Sequence, residues 1–132
     1  GQFDESFRLF FARDMWLKIC CEYDFDFVAE PLYKYYIHES NLSRKDPSRE
    51  AAELDHLIRK WSVYYKKYPA VWGRQLKTIG ALYAINGDMK LARKYFIASI
   101  KAAPRYIRNY VSLFISLFGK KMYKKALLMK NK

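Results

Sequence analysis

The sequence predicts a mainly α chain: a small α/β piece of one helix and two short strands, then a bundle of about five helices. Three observations predict it. After residue 46 the apolar positions recur with helical spacing in one segment after another. Residues 23–38 instead gather aromatic residues in short runs, the first of which stops at Glu30-Pro31. The charge divides at the same place. Residues 1–46 hold nine acids and six bases, net −3, and residues 47–132 hold four acids and nineteen bases, net +15, giving +12 over 132 residues. Such asymmetry marks two regions, 1–45 and 46–132, the second facing something anionic.

The first helix is expected over about 9–22, where Met15, Trp16, Ile19 and Cys20 recur on one face. YDFDFVAEP, 23–31, alternates aromatic and acidic residues and reads as a strand. LYKYYIH, 32–38, reads as a second strand or extended segment, and SNLSRKDPS, 40–48, as a polar linker. Asp46-Pro47 has the form of an N-cap followed by Pro at the first helical position. From there Ala51, Leu54, Leu57, Ile58, Trp61, Tyr64 and Tyr65 form a stripe running to Tyr68-Pro69. A helix over about 70–85 stops at Asn86-Gly87, a C-terminal signal. Asp88 can cap the next, about 89–102, which ends before Pro104. Two more follow, about 105–118 and the short basic KKMYKKALLMK.

Composition narrows the function classes. Apolar residues make up 52% and aromatics 18%, too rich for disorder. Cys20 and Cys21 are adjacent and point apart on a helix, which offers neither a simple disulfide nor a CxxC site and fits a reducing, cytoplasmic setting. No signal peptide is visible, and the longest charge-free apolar run, 109–119, is short of the roughly 20 residues that span a bilayer. No helix-turn-helix, RNP or zinc pattern accompanies the basic charge, so no nucleic-acid partner is expected.

Four blocks then carry a resemblance. They are Phe3-Asp4-Glu5; Asp14-Met15-Trp16-Leu17-Lys18-Ile19; Glu30-Pro31-Leu32; and Tyr36-Ile37-His38 with Asn41 and Ser43. In order and spacing they resemble the last third of the catalytic domain of family-2 glycosyltransferases, which have the GT-A fold. The resemblance covers about a third of the chain. It implies that residues 1–45 are a C-terminal remnant of such a domain, that the chain begins inside a longer enzyme, and that the rest of that domain lies upstream. The parent would transfer a sugar from a nucleotide-sugar donor to a hydroxyl in surface-glycan synthesis, with Mg²⁺ or Mn²⁺ as its cofactor. The nucleotide-binding strands and their Asp-x-Asp metal motif are expected upstream, so the piece itself should hold no cofactor and transfer no sugar.

The resemblance also assigns candidate site residues. An inverting transferase needs a carboxylate within hydrogen-bond reach of the acceptor hydroxyl. Alignment on Trp16 puts Phe11 and Ala12 where the family has Glu and the Asp base. Either another carboxylate (Asp4, Glu5 or Asp14, with Asp14 the catalytic candidate) serves, or the register differs, or the parent is inactive. Lys18 stands where Arg is usual and is a substrate-facing candidate. His38 matches a late histidine that approaches metal and diphosphate, a role a neutral imidazole can fill; the other reading is a strand-end histidine bonded to backbone. Asn41 and Ser43 read as turn residues, Trp16 as core rather than as a sugar platform, and Glu30-Pro31 as structural.

In the second half, GRQLKTIGALYAINGDMKLARKYFIASIKAAP, 73–104, looks like one tetratricopeptide-type hairpin. Small Gly80, Ala92 and Ser99 would let two helices approach, Tyr83 and Phe96 would fill the space beside them, and Gly87 would make the turn. One repeat cannot bury its own face, so the flanking helices should cap it in a bundle. The C-terminal YIRNYVSLFISLFGKKMYKKALLMKNK leaves two options. Leu113, Phe114, Leu117 and Phe118 could pack on the preceding helices, or the segment could lie on an anionic membrane, at the inner face of a cytoplasmic one. A protein partner for the helical tail is the other possibility. Phe10, Phe11, Phe25 and Phe27, short of a covering sheet, would favour homodimers.

Overall fold

The computed structural model describes residues 2–34, 36 and 46–130. It divides the chain into two compact units, Gly1–Asp46 and Pro47–Lys132. Among the described residues the secondary structure is helical throughout, with no strand.

The first unit is built on α1 (Phe11–Cys20). A turn leads into it, closed by Asp4: its carboxylate accepts from the Ser6 N–H at 3.0 Å and the Ser6 hydroxyl at 2.6 Å, and its carbonyl from the Phe7 N–H at 3.2 Å. That turn sets Phe7 into the interior. At the other end the amides of Cys21, Glu22 and Tyr23 return to the carbonyls of Lys18 and Ile19, which winds the helix down.

Two expectations are corrected here. Residues 23–34 form no strand, although their alternation has period two. Alternation favours a strand only where a neighbour takes up the backbone N–H and C=O groups, and no described segment does so. Instead Asp26 folds back on the chain, its carboxylate accepting from the Phe27 N–H at 2.8 Å. Nor is Trp16 core: it is 57% exposed, edge-on to Phe25 with ring centres 5.4 Å apart. The face of α1 turned inward is centred on Asp14, with Leu17 and Lys18 half-buried beside it. The fully buried residue of that face is thus charged rather than apolar.

The second unit contains α2 (Pro47–Lys60), α3 (Ser62–Lys66), α4 (Pro69–Asn86), α5 (Met89–Ala102), α6 (Ile107–Leu117) and α7 (Gly119–Lys130). The stripe from Ala51 to Tyr65 belongs to two helices, not one. Trp61 leaves the helical region (φ −99°, ψ 22°) and lays its ring near Tyr64, centres 5.7 Å apart. Ala51, Leu54, Leu57 and Ile58 of α2 are buried, as are Leu76 and Ile79 on α4. A second cluster joins Ala84, Ala92, Phe96 and Tyr123, with the Phe96 and Tyr123 rings stacked at 5.8 Å. It fastens α7 to the α4–α5 pair.

The α4–α5 hairpin is the tightest part of the fold. Gly87 takes φ 109°, a left-handed conformation open to glycine, and its N–H and that of Asp88 both return to the Tyr83 carbonyl. Asp88 then caps α5, its carboxylate accepting from the Leu91 N–H at 2.9 Å. Lys120 donates to the Asn86 carbonyl at 3.0 Å, which ties the start of α7 to the end of α4. Along the hairpin the backbones nearly touch. A Cβ placed on Gly80 would lie 2.7 Å from the Phe96 ring, and one on Gly73 would lie 2.6 Å from the Ala103 Cβ.

Candidate functional site

Two of the three candidate residues are among the described ones, and the first unit brings those two together. Asp14 and Lys18, one helical turn apart on α1, form an ion pair at 3.1 Å. The Lys18 ammonium also donates to the Gln2 carbonyl at 3.1 Å, which binds the lead-in segment to the helix. Asp14 is 0% exposed, so a solute cannot touch its carboxylate in this arrangement. Chemically the pair is a clamp that ties Gln2 to α1 through Lys18. Ala12 is exposed and carries no group that could take a proton. His38, the third candidate, lies outside the described residues, as do Asn41 and Ser43.

Asp24-Phe25-Asp26 has the spelling of the Asp-x-Asp motif. Its segment is irregular and exposed, and Asp26 is turned to its own backbone. Among the described residues no group of three His, Cys, Asp or Glu side chains is placed to hold an ion. Cys20 and Cys21 are free thiols, both exposed.

Around α1 the exposed residues are aromatic. Phe11, Trp16, Phe25 and Tyr33 face outward, and Phe27 is 83% exposed. Of the four phenylalanines expected to be short of neighbours, Phe11, Phe25 and Phe27 are exposed and Phe10 is half-buried; Phe11 meets Phe3 with ring centres 5.6 Å apart, and Phe25 meets Trp16.

The second unit has a cationic groove of about 570 Å³ between α2, α3, α4 and α5. Arg59, Lys66, Lys94 and Lys101 line it, with Trp72 and Tyr95 as aromatic walls and Asp55 as its single acid. Arg59 donates to Asp55 at 2.6 Å. That bond, followed by one to the Tyr95 hydroxyl, holds the guanidinium charge more firmly than usual. Burial raises the pKa of Tyr95, against the pull of Arg59, so the phenol stays protonated. The Lys66 ammonium sits 6.0 Å from the centre of the Trp72 ring. Such a lining suits a negatively charged group with an apolar portion.

The last two helices present the least expected surface, because α6 is amphipathic in reverse. Its buried residues are Asn109, Ser112 and Ser116, which lie on one face at spacings of three and four. The Asn109 amide N–H donates to the Ser99 carbonyl at 3.1 Å while its Oδ1 is buried without a hydrogen-bond partner, and the Ser112 and Ser116 hydroxyls donate to the carbonyls of Arg108 at 2.9 Å and Leu113 at 2.6 Å. The opposite face exposes Ile107, Val111, Phe114 and Phe118. Of the four residues offered as packing on earlier helices, only Leu113 joins the core cluster; Phe114, Leu117 and Phe118 stand outside it. The run NYVSLFIS already held this signal, since small polar residues at helical spacing mark a face that another helix can approach closely.

Comparisons with protein-family profiles, with curated proteins and with solved structures return no match.

Proposed function

We propose that this chain is the C-terminal part of a family-2 glycosyltransferase, in which the first unit belongs to the catalytic domain and the helical unit is an accessory interaction region. The carrying observation is the order and spacing of the four blocks from Phe3 to Ser43. The structure adds support at one block, Asp14-Met15-Trp16-Leu17-Lys18, which is helical and whose two charged members pair as a clamp. The open aromatic surface around Trp16 and Phe27 further supports a unit that packs against more of the same domain. On this reading Asp14 positions α1 and does not itself take the acceptor proton, because it is closed to solutes. The general base is then Asp4, Glu5 or a carboxylate of the upstream domain, and His38 stays the candidate of this chain for the metal and diphosphate, beside the upstream Asp-x-Asp motif. The hairpin of α4 and α5, with Gly80, Ala92 and Phe96 at its contact, supports a tetratricopeptide-like ancestry for the accessory region.

The test is made on the full-length parent. Release of nucleoside diphosphate from a panel of UDP-, GDP- and dTDP-sugars should be detectable, and the sequence before Gly1 should supply a strand ending in Asp-x-Asp. Absence of both would overturn the reading. A second reading is favoured by Ala12 and by the cationic groove: a helical scaffold without catalysis that binds an acidic protein partner. It predicts no nucleotide-sugar turnover, and a complex lost on reversing Lys94 and Lys101 to Glu.

A further inference from the structure

We propose that the exposed apolar face of α6 and α7 docks the chain on an anionic lipid surface, lying in the headgroup layer without crossing it. This inference stands apart from the glycosyltransferase reading, since it uses only the second unit. Three observations converge on it.

The first is the reversal of α6. A helix that turns Asn109, Ser112 and Ser116 inward and Ile107, Val111, Phe114 and Phe118 outward has an apolar face with no cover inside its own unit. Phe114 is 62% exposed and Phe118 59%. The second observation is that α7 continues the surface. Met122 and Met129, seven residues apart on one side of the helix, join Phe114 and Phe118 around a shallow apolar groove of about 420 Å³, with Lys125 among its lining.

The third observation identifies the occupant. Asp88 is the last acidic residue of the chain; residues 89–132 hold twelve lysines and arginines and no acid. A protein partner buried on so apolar a face would not call for unrelieved positive charge over the whole C-terminal third. A surface that is apolar within and anionic at its rim does. Lys121, Lys124 and Lys125 on α7 are exposed, and their aliphatic stems can lie along the apolar face while the ammonium groups reach phosphates. Tyr106 and Tyr110 are also exposed, the residue type that settles at the boundary of hydrocarbon and headgroup. No helix among the described residues is long and apolar enough to cross a membrane, which leaves the interface as the place for this one.

Co-sedimentation of the intact chain with vesicles tests the proposal. Binding to phosphatidylcholine vesicles carrying about 30% phosphatidylglycerol should exceed binding to pure phosphatidylcholine by about tenfold or more, and should weaken as salt rises toward physiological strength. Two double variants separate the contributions: Phe114→Ser with Phe118→Ser removes apolar contact, and Lys121→Glu with Lys125→Glu removes charge. All four positions are exposed, so circular dichroism should be unchanged while vesicle affinity falls about tenfold in each. Failure to bind anionic vesicles at low salt would overturn the proposal. So would equal binding to neutral and anionic vesicles, or wild-type affinity in either folded double variant. A chain that sediments as a dimer, becomes monomeric with the Phe114/Phe118 pair changed and ignores vesicles would assign the face to a second copy instead.

Discussion

Gly80 shows how much of this fold depends on one absent side chain. Its hydrogen faces a Phe96 ring that is fully buried and stacked on Tyr123, and it also faces the Ala92 carbonyl. In an open helix, replacing Gly by Ala gains about 1 kcal/mol of propensity. Here the new Cβ would lie 2.7 and 2.8 Å from two ring carbons and 3.0 Å from the carbonyl oxygen. The ring has nowhere to go, so overpacking outweighs propensity. Gly80→Ala should destabilise the chain by about 1–2 kcal/mol in urea unfolding, with an unchanged slope. A stabilised variant would show that the two backbones can separate at no cost. This dependence was legible in the sequence: Gly80, Ala92 and Ser99 announce a close approach by size alone. The inward turn of Asp14 was not. Hydrophobic periodicity selects Met15, Trp16, Ile19 and Cys20, and does not register a buried carboxylate whose charge is met one turn away by Lys18.

Helices of this chain were legible wherever stop signals were strong. Gly87 and Asp88 end one helix and begin the next, as their backbone freedom and side-chain chemistry require. Weak signals misled: the stripe through Trp61 continues across a break, because sequence spacing does not register a residue that keeps its apolar contact while leaving helical dihedrals. Residues 23–34 misled in the opposite sense, since strand pattern without a partner strand yields irregular chain. The docking of α7 on α5 through Tyr123 has a consequence for alkaline stability. Burial raises the Tyr123 pKa above its ordinary value of 10.0, while a hydrogen bond with Ser112 pulls weakly the other way. The folded state therefore holds this proton at a pH where the unfolded chain has released it. The associated stability is complete below about pH 10 and is lost as pH rises through the folded value. Tyr123→Phe should cost about 1 kcal/mol at neutral pH through the lost hydrogen bond. The variant should then lose less stability than the wild type between pH 9 and pH 11, so that the two unfolding midpoints converge. Parallel pH profiles would place the phenol in water instead.

Taken together, the charges of the chain set a tension that no single residue reveals. The net charge is +12, the sum of −3 in the first unit and +15 in the second. Within it the ion pairs Arg49–Glu53 and Arg59–Asp55 both lie on α2, where three of its four acids are found. Beyond Asp88 the sequence adds twelve positive groups and no acid. Self-repulsion on that scale opposes compactness and is screened over about 10 Å at 0.1 M salt. Two surface pairs are each worth at most about 1 kcal/mol, so salt should relieve more repulsion than it removes attraction. The melting temperature should rise by a few degrees between about 20 and 200 mM sodium chloride, and the rise should shrink when Lys121 and Lys125 are changed to Glu. A melting temperature that falls with salt would mean that α2's ion pairs dominate. The same excess charge that weakens the free chain would be neutralised on an anionic surface. Anionic vesicles should accordingly raise the melting temperature at low salt, and lose that effect once salt has already screened the repulsion.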